Sequence, residues 1–158
     1  KYGEQLALDK VSFSINNGEV VGLLGPNGAG KSTLMKSITN AINADSGEIS
    51  VNGYNVPTQP IESKKLIGFL QENNPLYIDM YVKEYLEFVT NIRNVPKSKI
   101  DEVIEKVGLL PEKHKKIHQL SKGYKQRVGL AQAIISSPEI LILDEPTNGL
   151  DPNQIIEI

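Results

Sequence analysis

The chain has 158 residues, 39% hydrophobic and 23% charged, the proportions of a globular protein long enough to bury one real core. A net charge of −2 gives no electrostatic case for nucleic acid, and the absence of cysteine excludes disulfides and thiolate metal sites, as expected in a reducing cytosol. No apolar run approaches the length of a membrane-spanning helix, and the polar opening Lys1, Tyr2, Gly3, Glu4, Gln5 does not resemble a secretion signal, so a membrane role is expected to run through a partner.

Residues 6–8 and 11–15 read as short strands. In the second, Val11, Phe13 and Ile15 alternate with Ser12 and Ser14, the period-2 pattern of a half-exposed sheet. Asn16, Asn17 and Gly18 form a hairpin-type turn into 20–24, an apolar run suited to a buried parallel strand. That run leads into Gly25, Pro26, Asn27, Gly28, Ala29, Gly30, Lys31, Ser32 and Thr33, which spell G-x-x-x-x-G-K-S, the phosphate-binding loop. Glycines let successive N–H groups turn into one anion-binding concavity. A helix opening at Gly30 adds its N-terminal N–H groups and the positive end of its dipole. Lys31 can reach β- and γ-phosphates, and the Ser32 hydroxyl can ligate Mg²⁺. Leu34, Met35, Ile38, Ala41 and Ile42 mark one face of that helix. Strand, loop and helix in succession distinguish this reading from a flexible glycine loop without a ligand.

Asp45, Ser46 and Gly47 turn into a strand at 48–51, and Asn52-Gly53 offers a type I′ turn into 54–56. These strands are expected to form a small antiparallel layer. Residues 67–70 read as a second core strand ending at Gln71, and Asn73, Asn74 and Pro75 break the chain. A helix follows with Val82, Tyr85, Leu86, Val89 and Ile92 on one face, stopped by Asn94, Val95 and Pro96. Ser98 and Asp101 have the spacing of a capping box for a helix carrying Ile100, Val103, Ile104 and Val107. The helical block from about 75 to 137 gives way to an apolar strand at 140–143 that delivers Asp144 and Glu145. In open α/β sheets ligands sit beyond the carboxyl ends of the strands, where Gln71, Asp144 and the phosphate loop all fall.

An apolar strand ending in Asp144-Glu145 is the Walker B pattern. Alone it equally describes a strand-end turn; downstream of a phosphate loop it reads as chemistry. The first carboxylate holds Mg²⁺, usually through water, and the second polarises the attacking water as general base. The stretch Leu120, Ser121, Lys122, Gly123, Tyr124, Lys125, Gln126, Arg127 resembles the signature motif of ATP-binding-cassette (ABC) proteins, usually Leu-Ser-Gly-Gly-Gln. Ser121 and Gly123 keep that pattern; Lys122 and Tyr124 depart from it. Ser-Lys-Gly followed by Gln-Arg is similar to the ATPase subunits of ABC-2-type exporters and the related gliding-motility ATPase. A helix with Val128, Ala131 and Ile135 on one side would aim its N-terminus at a phosphate, although the same residues also describe an ordinary serine-capped helix start.

The resemblance covers essentially the whole chain. It implies a P-loop NTPase of the α/β class, with a mostly parallel core sheet, a small antiparallel layer and an inserted helical subdomain. It also implies that 1–158 is one nucleotide-binding domain, truncated at its C-terminal end. The family's switch histidine follows a further strand beyond Asp151, and neither His114 nor His118 matches it; both sit in the basic stretch 113–118, which reads as a solvated face. By resemblance, Tyr2 stacks on adenine and residues 25–33 hold the phosphates. Gln71 contacts Mg²⁺ and the attacking water, with Ser32 and Asp144 completing the metal site and Glu145 as base. Ser121, Lys122, Gly123 and Tyr124 serve the nucleotide of a second domain, and Gly149, Leu150 and Asp151 form the loop crossing the dimer interface, with Asn148 and Gly149 replacing the usual Ser and Ala.

The implied function is ATP hydrolysis, with ATP and Mg²⁺, in a sandwich dimer of two nucleotide-binding domains. The dimer powers a transmembrane permease touched near Gln71 and residues 77–81, in ABC-2-type export. The expected location is the cytoplasmic face of the membrane, with no nucleic acid partner. The 158 residues alone are expected to bind ATP with negligible turnover. Two other readings remain: a soluble ABC ATPase acting on ribosomes or DNA, disfavoured by the lack of paired cassettes or long insertions, and a non-catalytic regulatory module, disfavoured by Lys31, Asp144 and Glu145 together.

Overall fold

In the computed structural model, which describes residues 6–147, the chain divides into two units, Lys1–Lys64 and Lys65–Ile158, built by different local rules. In the first unit the turn at 16–19 forms as its sequence requires. Gly18 takes φ 82°, Glu19 N–H donates to the Asn16 carbonyl at 3.2 Å, and the Glu19 carboxylate accepts from Asn16 N–H at 2.7 Å. That backbone hydrogen bond, with a second from the Asn16 side chain, holds the Glu19 carboxyl below the usual range.

The flanking strands do not form. Segments 6–8, 11–15 and 20–24 carry no strand, and Val20 and Leu24 are 101% and 94% exposed. This corrects the expectation of a buried core strand entering the glycine loop. An extended segment becomes a strand only where a neighbouring ladder takes up its N–H and C=O groups. Among the described residues the sheets are two separate pairs, and neither includes these segments.

Helix α1, Lys31–Ile38, starts at Gly30 in the left-handed region at φ 91°. A Cβ on Gly30 would lie 2.4 Å from the Ala7 carbonyl oxygen, so glycine is required here for both conformation and space. The helix stops at Thr39, before Ala41 and Ile42 of the expected apolar face, where Asn40 turns left-handed at φ 52°. β1, Ser50–Val51, and β2, Tyr54–Asn55, pair antiparallel as expected but are shorter, trimmed to the register Ser50↔Asn55 and Val51↔Tyr54. Asn52 at φ 48° and Gly53 at φ 83° give the type I′ turn. α2, Pro60–Leu66, has no counterpart in the sequence reading; its signal is a proline at the first helical position.

In the second unit β3, Ile67–Leu70, and β4, Ile140–Leu143, lie parallel at the predicted boundaries, in the register Leu70↔Leu143. Their apolar runs predict burial on both faces. β3 is largely buried, whereas Leu141 of β4 is exposed, because the pair has no further ladder among the described residues. Between them run α3, Val82–Arg93; α4, Lys99–Lys106; two 3-10 turns, Leu110–Glu112 and Ile117–Gln119; and α5, Lys122–Ile134. Their core joins Tyr85, Leu86 and Val89 of α3, Ile100, Val103 and Ile104 of α4, and Val128 and Ala131 of α5. Burying each larger aliphatic side chain stabilises by about 1.5–3 kcal/mol.

Two local expectations change. Ile92 is 66% exposed, near the end of α3, and buried Thr90 takes a place on the packed face, with its hydroxyl satisfied by the Glu87 carbonyl at 2.8 Å. The Ser98–Asp101 capping box does not form, since Ser98 is already helical at φ −57°, ψ −22°. A preceding turn supplies the acceptors: Lys99 N–H donates to Pro96 and Ile100 N–H to Lys97. At its other end α4 closes through left-handed Gly108, with Leu109 N–H donating to Ile104 at 2.8 Å. α5 approaches β3 closely because Gly68 and Gly129 carry no side chain: a Cβ on Gly68 would lie 2.2 Å from the Ala133 carbonyl oxygen, and one on Gly129 2.8 Å from Leu70 Cδ1.

Candidate functional site

In the first unit the glycine loop at 25–29 is exposed and hands directly into α1. Gly28 at φ 82° and Gly30 at φ 91° bend it, and Ala29 N–H closes a turn onto the Pro26 carbonyl at 3.2 Å. α1 has no side-chain cap and no acidic residue in its first turn, where Ser32 and Thr33 lie, so that turn itself leaves its N-terminal donors and dipole without a negative partner. Lys31 Nζ arches back to donate to the carbonyls of Gly25, at 2.7 Å, and Pro26, at 3.1 Å. The ammonium is thus held against the first two residues of the loop.

In the second unit, pairing Leu70 with Leu143 sets Gln71 beside Asp144 at the carboxyl ends of adjacent parallel strands. Asp144 N–H donates to the Leu70 carbonyl at 2.9 Å, extending the ladder by one bond, and Asp144 is 3% exposed. Glu145 turns left-handed at φ 51° and is exposed. The buried Gln126 of α5 points its amide nitrogen at the Glu145 and Pro146 carbonyls, at 3.5 and 3.4 Å. Asp144 and Gln71 supply oxygen donors of the hard kind that Mg²⁺ prefers, so their chemistry fits that ion.

The signature stretch forms the N-terminus of α5. Ser121 is the N-cap, its hydroxyl accepting from Tyr124 N–H at 3.3 Å. Lys122 is exposed, Gly123 is buried, and the Tyr124 ring centroid lies 5.7 Å from the Arg127 guanidinium carbon. Arg127, 5% exposed, reaches the C-terminus of α4, where Nη1 donates to the Val107 carbonyl at 3.0 Å. The sequence marks Gln126 and Arg127 only by their place in the motif; Arg127 shares a helix face with Ala131, four residues on, whereas Gln126 lies on the face opposite Val128, so periodicity carries no signal for its burial.

Residues 77–81 keep Tyr77, Ile78 and Tyr81 exposed, with Tyr77 edge-on to Phe88 at 5.3 Å. His114 is exposed, and His118, also exposed, places Nδ1 3.2 Å from the Ile78 carbonyl. Tyr2 and the stretch Asn148, Gly149, Leu150, Asp151 lie outside the described residues.

A family model described as ABC transporter matches residues 8–148. Among curated relatives, the chain is 43% identical over 153 residues to an uncharacterized ABC transporter ATP-binding protein, YhcH, of Bacillus subtilis, covering 96% of this chain and 50% of that one. It is 41% identical over 157 residues to the lantibiotic transport ATP-binding protein SrtF of Streptococcus pyogenes, covering 99% of this chain and 67% of the relative. The chain thus spans between half and two thirds of the length of these relatives. Among solved structures it superposes with TM-score 0.90, at 26% identity, on a dimeric post-hydrolysis state of the ATP-binding cassette MJ0796 bound to ADP and Pi, covering 100% of this chain and 75% of that one. With the glycine loop, the carboxylates ending β4 and the serine-capped α5 all lying inside the matched residues, the chain belongs to the ABC transporter family.

Proposed function

We propose that this chain is the nucleotide-binding domain of an ABC exporter, hydrolysing ATP in a sandwich of two such domains to drive a membrane permease. The observation that carries the chemical part is the β3–β4 register, which sets Gln71 beside Asp144 and Glu145 at the carboxyl ends of the strands. Loop N–H groups of residues 27–30 and the Lys31 ammonium hold the β- and γ-phosphates, with Ser32 and Thr33 opening the helix beneath them. Asp144 and Gln71, and by the family resemblance Ser32, are the residues that would hold Mg²⁺, which would neutralise phosphate charge. Glu145 orients a water and accepts its proton as the water oxygen attacks the γ-phosphorus, breaking the bond to the β-phosphate bridging oxygen and releasing ADP. Tyr2 stacks on adenine. Ser121, Lys122, Gly123 and Tyr124 present the N-terminus of α5 to the nucleotide of the facing domain, and Gly149, Leu150 and Asp151 cross the interface. Residues 75–137 form the helical subdomain of this single domain, and its exposed Tyr77, Ile78 and Tyr81 meet the permease.

Export is favoured by the similarity to the lantibiotic transport protein and by Ser-Lys-Gly in the signature. Among the described residues no helix is long and apolar enough to cross a membrane. On this reading the domain works at the cytoplasmic face of the membrane through its permease, and a net charge of −2 supplies no attraction to nucleic acid.

The test mixes two variants of the full-length protein, Lys31→Ala and Ser121→Arg. If each site joins one chain's glycine loop to the other's signature, either homodimer has two damaged sites while a mixed dimer keeps one intact. Random mixing makes about half the dimers mixed, so nucleotide trapping should reappear by mass action. Trapping no greater than in the separate variants, with mixed dimers shown to form, would refute the role of Ser121 across the dimer.

A further inference from the structure

Gln126 is a polar side chain in the second turn of α5, yet it is only 6% exposed. Its amide nitrogen faces two successive carbonyls, of Glu145 at 3.5 Å and Pro146 at 3.4 Å. Those carbonyls belong to the turn in which Glu145 adopts φ 51°, a conformation uncommon outside glycine, asparagine and aspartate. Backbone held in such a region persists only where its surroundings over-determine it. A single –NH₂ carries two hydrogens, enough to engage both carbonyls of the turn. The helix that bears Gln126 is anchored on either side of it: Ser121 caps the start, and Arg127 bonds the end of α4.

We propose that Gln126 is a positioning residue for Glu145. Its amide holds the left-handed turn that presents the Glu145 carboxylate, and it ties that turn to the helix carrying the signature residues. This rests on the reading of Glu145 as the general base. A packing role would need only a side chain of the same length, which methionine supplies; holding the turn needs the two donors. Displacing a reacting group by about 1 Å costs on the order of 100-fold in rate, so partial loosening of the turn should cost about 10-fold or more in kcat.

The experiment measures kcat, KM and ATP affinity in the full-length protein for Gln126→Met, Gln126→Glu and Glu145→Gln, and single-turnover rates for the Gln126→Met/Glu145→Gln pair. The expected result is a kcat about 10-fold or more lower in Gln126→Met with ATP affinity unchanged, and at least as large a loss in Gln126→Glu, whose carboxylate would face the two carbonyls. Gln126→Met should add nothing to the loss already present in Glu145→Gln. If Gln126→Met does not fold, Gln126→Glu decides by the same comparison. Wild-type kcat in the Gln126 variants, a matching loss of ATP affinity, or a further loss in the Glu145→Gln background each overturns the positioning role. Full activity in Glu145→Gln overturns the base assignment and this inference with it.

Discussion

Replacing Arg127 with methionine tests how the signature helix is held. Arg127 is 5% exposed; methionine keeps much of its apolar stem and deletes the guanidinium, which donates to the Val107 carbonyl at 3.0 Å. Deep burial means that little solvent screening discounts the loss. A hydrogen bond to a charged group contributes about 1.5–3 kcal/mol, and a cation at a helix C-terminus adds roughly 0.3–1 kcal/mol, here at the end of α4. The sum is roughly 3 kcal/mol. At about 2–4 °C per kcal/mol for a protein of this size class, Tm should fall by about 6–12 °C. Differential scanning calorimetry on the full-length protein reads this directly. The same contact makes a second demand: a Cβ on Gly108 would lie 2.3 Å from Arg127 Nη1. Gly108→Ala should therefore cost more beside arginine than beside methionine, where only the strain of φ 68° remains. A Tm drop below about 2 °C in Arg127→Met, or equal costs of Gly108→Ala in both backgrounds, would refute the anchoring of α5 through Val107.

Lys31→Ala removes the cation that, among the described residues, donates to the carbonyls of exposed Gly25 and Pro26. ATP binding measured by calorimetry should weaken at least 10-fold with Tm nearly unchanged; equal affinity would defeat the phosphate-loop assignment. The Tyr85 phenol, hydrogen-bonded to the Gln132 side chain, is pushed up to about 12 by burial and, secondarily, by neighbouring Tyr77. A folded-state value above the unfolded value of 10.0 keeps this contribution whole below pH 10 and removes it as pH rises through about 12. Stability should fall across that window, and the fall should be shallower in Tyr85→Phe; identical slopes in urea unfolding would count against the assignment.

Local rules written in a few adjacent residues were legible without coordinates. Asn52-Gly53 specified its turn because both positions need positive φ, and β3 and β4 appeared at their predicted boundaries because four apolar residues ran up to a polar one. The helical faces of α3, α4 and α5 followed from 3.6-residue periodicity. The local settings of three motifs were also readable: the glycine loop opens α1, Asp144 follows the end of β4, and Ser121 caps α5, since each setting is decided within one turn or one strand end. Tertiary structure decided what lies far apart in sequence. The apolar run at 20–24 carries no strand and is exposed, because a strand exists only if another segment completes its ladder. Ser98 lost its capping role to carbonyls in the preceding turn, a competition that the residue pattern does not reveal. Gln126 and Arg127 acquired partners 19 or 20 residues away, at Glu145, Pro146 and Val107. Such partners are chosen by how helices pack against a sheet and against each other, and one chain's periodicity says which face is buried but not which atoms meet there.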